Sequence, residues 1–135
     1  IAVWSSANVS GIALNNFCEM REHYNHQNAT DKIAEDVKNS AYEIISMKKA
    51  TNFGIAMAVK RICEAIVRNE RSILPISSII NGQYGIKNVS LSIPAIVGKN
   101  GIETIVPISL NDEELKKLQL SAQTLKEVLH QNNLL

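Results

Sequence analysis

The sequence predicts an α+β fold, with long helices packed on an antiparallel β-sheet. Three observations carry that expectation. Apolar residues recur at three-and-four spacing over residues 31–48 and 111–132 and through the second half of 52–69, the stripe of a helix that buries one face. Val89-Ser-Leu-Ser-Ile93 alternates strictly, as a half-buried antiparallel strand does. Asn100-Gly101 stands between two extended runs, and Asn-Gly tolerates the positive φ of a hairpin turn.

Composition bounds the rest. A chain of 135 residues is enough for one domain with a single core. Hydrophobic residues make up 45% and charged residues 20%, with a net charge of +1. That balance gives no electrostatic case for nucleic acid, a membrane surface or an acidic partner. Aromatic residues are 4%, too few for a stacking platform under single-stranded nucleic acid. No apolar run reaches transmembrane length, and Ile1-Ala2-Val3-Trp4 lacks the basic flank of a signal peptide. Cys18 and Cys63 are far apart, and neither has a metal-ligand partner at a useful spacing. Cys63 falls in an apolar helical run and reads as a buried free thiol, which favours a reducing compartment. The chain opens mid-pattern without an initiator Met, so it reads as a piece of a longer protein, with processing of a short precursor as the alternative.

Taken in order, residues 1–20 read as a short extended segment, then Gly11, then a short helix near Ala13–Met20. Residues 21–30 form a polar loop. His23 and His26 lie in it beside Glu22, and they read as solvated loop histidines rather than metal ligands. Residues 31–48 form an amphipathic helix, with Ile33, Ala34, Val37, Ala41, Ile44 and Ile45 on the apolar stripe. A second helix follows over 52–69. Its first half, Phe53 to Val59, is apolar all round, so it is expected to be buried on every side. Between the two helices lies Met47-Lys-Lys-Ala-Thr-Asn-Phe-Gly-Ile-Ala56. Thr51 or Asn52 is placed to cap the second helix there.

The period then changes. Ile73 to Ile80 is a strand bounded by Asn81-Gly82 and Gly85. Val89 to Ile93 is a second, and Pro94 argues for an edge position or a bulge rather than a central strand. Ile102 to Leu110 is the return strand. Asn111 caps the last helix, with Glu114 at the capping-box position. Leu115, Leu118, Ala122, Leu125, Val128 and Leu129 form its stripe.

Searched for chemistry, the chain is poor. It has no glycine-rich phosphate loop after a strand, no Ser/His/Asp set at a known spacing and no paired-cysteine metal site. Its paired carboxylates, Glu35 with Asp36 and Glu113 with Glu114, sit on solvated helix faces. Periodicity and composition alone end at an α+β domain.

Several runs carry a resemblance further. Ser40-Ala-Tyr-Glu-Ile-Ile-Ser-Met-Lys-Lys-Ala-Thr-Asn-Phe-Gly-Ile-Ala56 resembles the helix-break-helix of the L-lactate dehydrogenases. Ile73-Leu-Pro75, Asn81-Gly-Gln-Tyr-Gly-Ile86, Ser92-Ile-Pro-Ala-Ile-Val-Gly-Lys-Asn-Gly-Ile102 and Leu110-Asn-Asp-Glu-Glu114 follow in that family's order. Ser121-Ala-Gln-Thr-Leu125 resembles its final helix, and Val3-Trp-Ser5 the segment after its catalytic histidine. The resemblance covers essentially the whole chain and is nearest to the bacterial cytosolic branch. It implies that residues 1–135 are the C-terminal substrate domain of the lactate/malate dehydrogenase fold, without the NAD-binding half.

On that resemblance, Thr51 lines the substrate pocket and Ile55 packs against the nicotinamide ring of NAD. A small keto acid needs a compact polar wall, and hydride transfer needs an apolar wall that excludes water. Gly54 and Ala56 would then serve close packing. No catalytic residue lies in this chain. The proton-transfer histidine falls just upstream of Ile1, as do the carboxylate-binding arginine, the specificity loop and any fructose 1,6-bisphosphate site. None of His23, His26 and His130 matches the catalytic motif. The resemblance further implies a cytoplasmic homo-oligomer, a tetramer in the parent, that interconverts pyruvate and lactate; the isolated piece should be inactive. Ala2 replaces a usual proline and Lys49 a common glycine, and both bear on loop geometry. The other readings are a malate or branched-chain 2-hydroxy acid dehydrogenase, and a non-catalytic assembly module.

Overall fold

Two hydrophobic periodicities, helical and alternating, give the long helices and the main sheet of the computed structural model, which describes residues 1–22 and 26–134. The chain divides into two compact units, residues 2–60 and residues 61–135 together with Ile1.

The first unit opens with a small hairpin of β1 (Asn8–Val9) and β2 (Ile12–Ala13), paired antiparallel. Ser10 and Gly11 turn it, both at positive φ (52° and 85°), and the Asn8 side chain accepts the Gly11 N–H at 3.2 Å. Helix α1 (Leu14–Met20) follows directly. Helix α2 (His26–Lys48) starts five residues earlier than the apolar stripe predicts. His26 is therefore a helical residue, half-buried, with its Nε2 paired to Asn15 Oδ1 at 3.1 Å. The expected loop histidine is corrected on that point, and His23 lies outside the described residues. Thr30 is buried in the first turns, its hydroxyl donating to the Gln27 carbonyl.

Helix α3 (Asn52–Val67) carries residues of both units. Its first half was expected to be buried all round. Instead Phe53, Ile55, Met57 and Val59 are 82%, 62%, 61% and 53% exposed. The stripe of α2 is open too, with Ile33, Val37, Ile44 and Ile45 all exposed. An apolar pattern reports that a face should be covered, but not that the covering group lies in the same chain. Cys63, expected buried, is exposed for the same reason, and Cys18 is half-buried.

The second unit is built on a three-stranded antiparallel sheet in the order β3 (Ser72–Asn81), β4 (Lys87–Gly98), β5 (Gly101–Ile105). Alternate residues of β4 (Val89, Leu91, Ile93, Ala95, Val97) point into the core. Helix α4 (Asp112–Gln131) covers that face with Leu118 and Ala122, joined by Ile80 and Ile86. Glu114 and Asn111 form the expected capping box, in which Asn111 Oδ1 accepts the Glu114 N–H at 2.9 Å and Glu114 Oε2 accepts the Asn111 N–H at 3.0 Å. Replacing Asn111 by Ala leaves the Glu114 N–H without its side-chain acceptor, while the backbone N–H at position 111 can still donate to the Glu114 carboxylate. The substitution should cost about 1 kcal/mol and lower Tm by several degrees, readable by thermal denaturation monitored by circular dichroism.

Pro94 lies inside β4, the middle strand, where an edge or a bulge was expected. The register explains how it is tolerated. Pro94 faces Pro75 of β3, and its carbonyl accepts the Val106 N–H at 2.7 Å on the opposite side. A donor at Pro94 would thus have pointed away from β3, toward the β5 side. Pairing of β4 with β5 runs only from Ala95 to Gly98, so Pro94 marks where the third strand stops. The return strand is therefore the five residues Gly101–Ile105, shorter than the expected run to Leu110. A bulge does occur nearby, between Ile96 and Val97. In the hairpin turn the positive φ falls on Gly101 (85°).

The 3₁₀ turn Gln83–Gly85 ties β3, β4 and α4 together. Tyr84, itself left-handed at φ 56°, donates its hydroxyl to the Ile108 carbonyl and accepts the Ile108 N–H, both at 2.8 Å. Gln119 of α4 donates to the Tyr84 carbonyl at 3.0 Å. At the other end of the sheet Arg71 pairs with Glu103 at 2.8 Å, and Arg61 with Glu70 at 2.6 Å. Hydrogen bonds from Arg61 and Ser72 hold the Glu70 carboxyl below the ordinary carboxylate range.

Candidate functional site

The break between α2 and α3 forms by ordinary chain chemistry. Lys49 adopts a left-handed conformation (φ 63°), and its N–H donates to the Ile45 carbonyl at 2.8 Å. That bond is the left-handed cap that ends many helices, and glycine is the residue that takes the conformation without a side-chain clash. The departure noted from sequence, lysine where glycine is common, thus falls on a position whose backbone favours glycine. Ala50 and Thr51 lie outside helix, and α3 begins at Asn52.

A cleft of about 370 Å³ opens at this break. From α2 it is lined by Ser40, Ala41, Ile44 and Lys48. From the junction and the first turn of α3 come Ala50, Thr51, Asn52, Phe53, Gly54 and Ile55. The two residues singled out from sequence, Thr51 and Ile55, are thus brought to one cavity. Thr51 is half-buried and Ile55 largely exposed. The arrangement puts two hydroxyls (Ser40 and Thr51), one amide and one ammonium against an otherwise apolar wall. That combination suits a small polar ligand held beside a flat apolar group. Gly54 was expected to serve close packing, but a Cβ there would meet nothing within 4 Å in this chain. Lys48 is the lining residue that sequence reasoning passed over as a site group. Its place at the end of α2, three residues before Thr51, was the available signal.

Neither of the other described candidates is among the residues lining this cleft. His26 sits at the start of α2 and His130 is exposed near the end of α4. Among the described residues no group of three or more His, Cys, Asp or Glu side chains could hold a metal ion. No described helix is long and apolar enough to cross a membrane.

The chain thus consists of a helix-break-helix with a cleft at its break, a three-stranded antiparallel sheet and a capped terminal helix. The sequence profile of the lactate/malate dehydrogenase alpha/beta C-terminal domain matches residues 1–133, and the chain belongs to that family. It is 51% identical over 129 residues to an L-lactate dehydrogenase of Acetivibrio thermocellus and 50% identical over 129 residues to L-lactate dehydrogenase 1 of Clostridium acetobutylicum. Those matches cover 96% of this chain, which spans 41% of each relative's length. Among solved structures, the minor L-lactate dehydrogenase of Enterococcus mundtii, in its ligands-bound form, superposes with a TM-score of 0.90 at 38% identity, covering 97% of this chain and 41% of that one. The malate dehydrogenase of Archaeoglobus fulgidus in complex with NADH gives a TM-score of 0.67 at 46% identity over 71% of this chain and 32% of that one.

Proposed function

We propose that this chain is the substrate-side domain of an NAD-dependent L-lactate dehydrogenase that interconverts pyruvate and L-lactate. The observation that carries the reading is that Thr51 and Ile55 line one cleft, in a chain half identical to L-lactate dehydrogenases. In this reading residues 1–135 act with an NAD-binding domain that precedes them. The Thr51 hydroxyl bounds the keto-acid site. Ile55 forms the apolar wall for the nicotinamide and, with Phe53, keeps water from it. NADH supplies the hydride when bound. The proton comes from a histidine upstream of Ile1, and fructose 1,6-bisphosphate activation would likewise use upstream residues. The open apolar faces of α2 and α3 are covered in the parent by its nucleotide domain or another subunit of a homotetramer, in the cytoplasm, where the enzyme regenerates NAD in fermentation.

A malate-type reading is kept because the A. fulgidus malate dehydrogenase is 46% identical over the part it matches. The two separate by assay. The full-length protein, given NADH, should show its highest kcat/KM on pyruvate, above oxaloacetate and 2-oxoisocaproate. Preference for oxaloacetate would move the assignment to malate, and inactivity on all three would end it.

A further inference from the structure

We propose that Lys48 is a substrate-recruiting residue of this cleft, acting through its charge on the anionic 2-keto acid. The proposal rests on the dehydrogenase reading and adds a residue to that site. Lys48 is the one charged residue among those lining the cleft, and no carboxylate lines it. Among the described residues Lys48 forms no ion pair, so its charge is not spent on a neighbouring side chain. The same cleft takes in the first turn of α3 at Asn52, Phe53 and Gly54, where helix amides carry partial positive charge. The left-handed turn at Lys49 ends α2 immediately after Lys48, which sets the lysine at the mouth of the break with Thr51 three residues on. Lys48 is itself exposed, so its charge acts through solvent and is open to screening by salt. Its neighbour Lys49 does not line the cleft and is the internal control.

The chemistry asked of Lys48 is attraction, not proton transfer. Removing it should therefore act on capture of the substrate and leave the chemical step nearly intact. The test is steady-state kinetics of the full-length enzyme with pyruvate and NADH at about 20 mM and about 500 mM salt, between which exposed charges pass from weakly to strongly screened. Lys48→Met should raise KM for pyruvate roughly three- to tenfold at low salt, with kcat changed much less, and the difference should vanish at high salt. Lys48→Arg should restore most of the loss, and Lys49→Met should leave KM as it was. A Lys48→Met enzyme whose KM matches the wild type at low salt overturns the lysine's role alone. So does a rise in KM that is the same at both salt concentrations, because a packing defect is not screened. A wild-type enzyme that turns over no 2-keto acid overturns the dehydrogenase reading and this role with it.

Discussion

Thr51→Val in the full-length enzyme should lower kcat/KM for pyruvate by about 10- to 100-fold, with circular dichroism unchanged. Valine keeps the shape of threonine and removes the hydroxyl. A site that holds a small polar substrate through few groups then loses one hydrogen bond where little water can replace it. Loss of such a bond in a desolvated pocket costs on the order of 1.5–3 kcal/mol, which is that range of rates. A competing role is visible in the same place. Thr51 immediately precedes α3, so its hydroxyl could serve only as a helix cap. Loss of a cap would appear as about 1 kcal/mol of stability with kcat/KM unchanged. The two effects are read separately by kinetics and by thermal denaturation. Thr51→Ser keeps the hydroxyl and should retain most of the activity. An unchanged kcat/KM in Thr51→Val would remove Thr51 from the substrate site.

The second large effect concerns the surface that α2 and α3 leave open. The 135-residue chain expressed by itself should bind a hydrophobic dye strongly and sediment as more than a monomer. Phe53, Ile55, Met57 and Val59 lie within seven consecutive residues of α3 and are all more than half exposed. Val37, Met47 and Tyr42 on α2 add to the exposed apolar area. Fully burying a large apolar side chain is worth about 1.5–3 kcal/mol, so the exposed part of the α3 group offers roughly 4–8 kcal/mol before the cost of association. At helical spacing Phe53 and Met57 lie on one face of α3 and Ile55 and Val59 on the other, so the helix presents apolar side chains on two sides. Substituting Met57→Glu together with Val59→Lys should reduce dye binding and shift the chain toward monomer. Dye-silent, strictly monomeric wild-type chain in analytical ultracentrifugation would show that this surface needs no cover.

Much of the architecture was legible because its causes are local. The α4 capping box needs only Asn111 and Glu114, three residues apart, and it forms with both hydrogen bonds in place. The alternation of β4 is a consequence of pleat geometry, and Val89, Leu91 and Ile93 are buried as the alternation requires. The break at Thr51 was visible as two helical stripes that do not join. The start of α2 was misplaced because residues 26–30 are polar, and helical hydrogen bonding does not require an apolar stripe.

Thr51 and Ile55 were marked as site residues only through the family resemblance; what the sequence's own patterns determined was the class of fold, the succession of elements and the break between the two helices. Those depend on periodicity, capping and turn chemistry within a few residues. Tertiary structure decided the rest. Pro94 could enter the middle strand only because pairing with β3 turns its missing donor to the side where β5 ends, which no local pattern records. It also decided that Lys48 joins Thr51 and Ile55 around one cavity, and that Cys63 and the face of α3 stand open. Hydrophobicity states that a surface prefers cover, whereas only packing between distant segments decides what covers it.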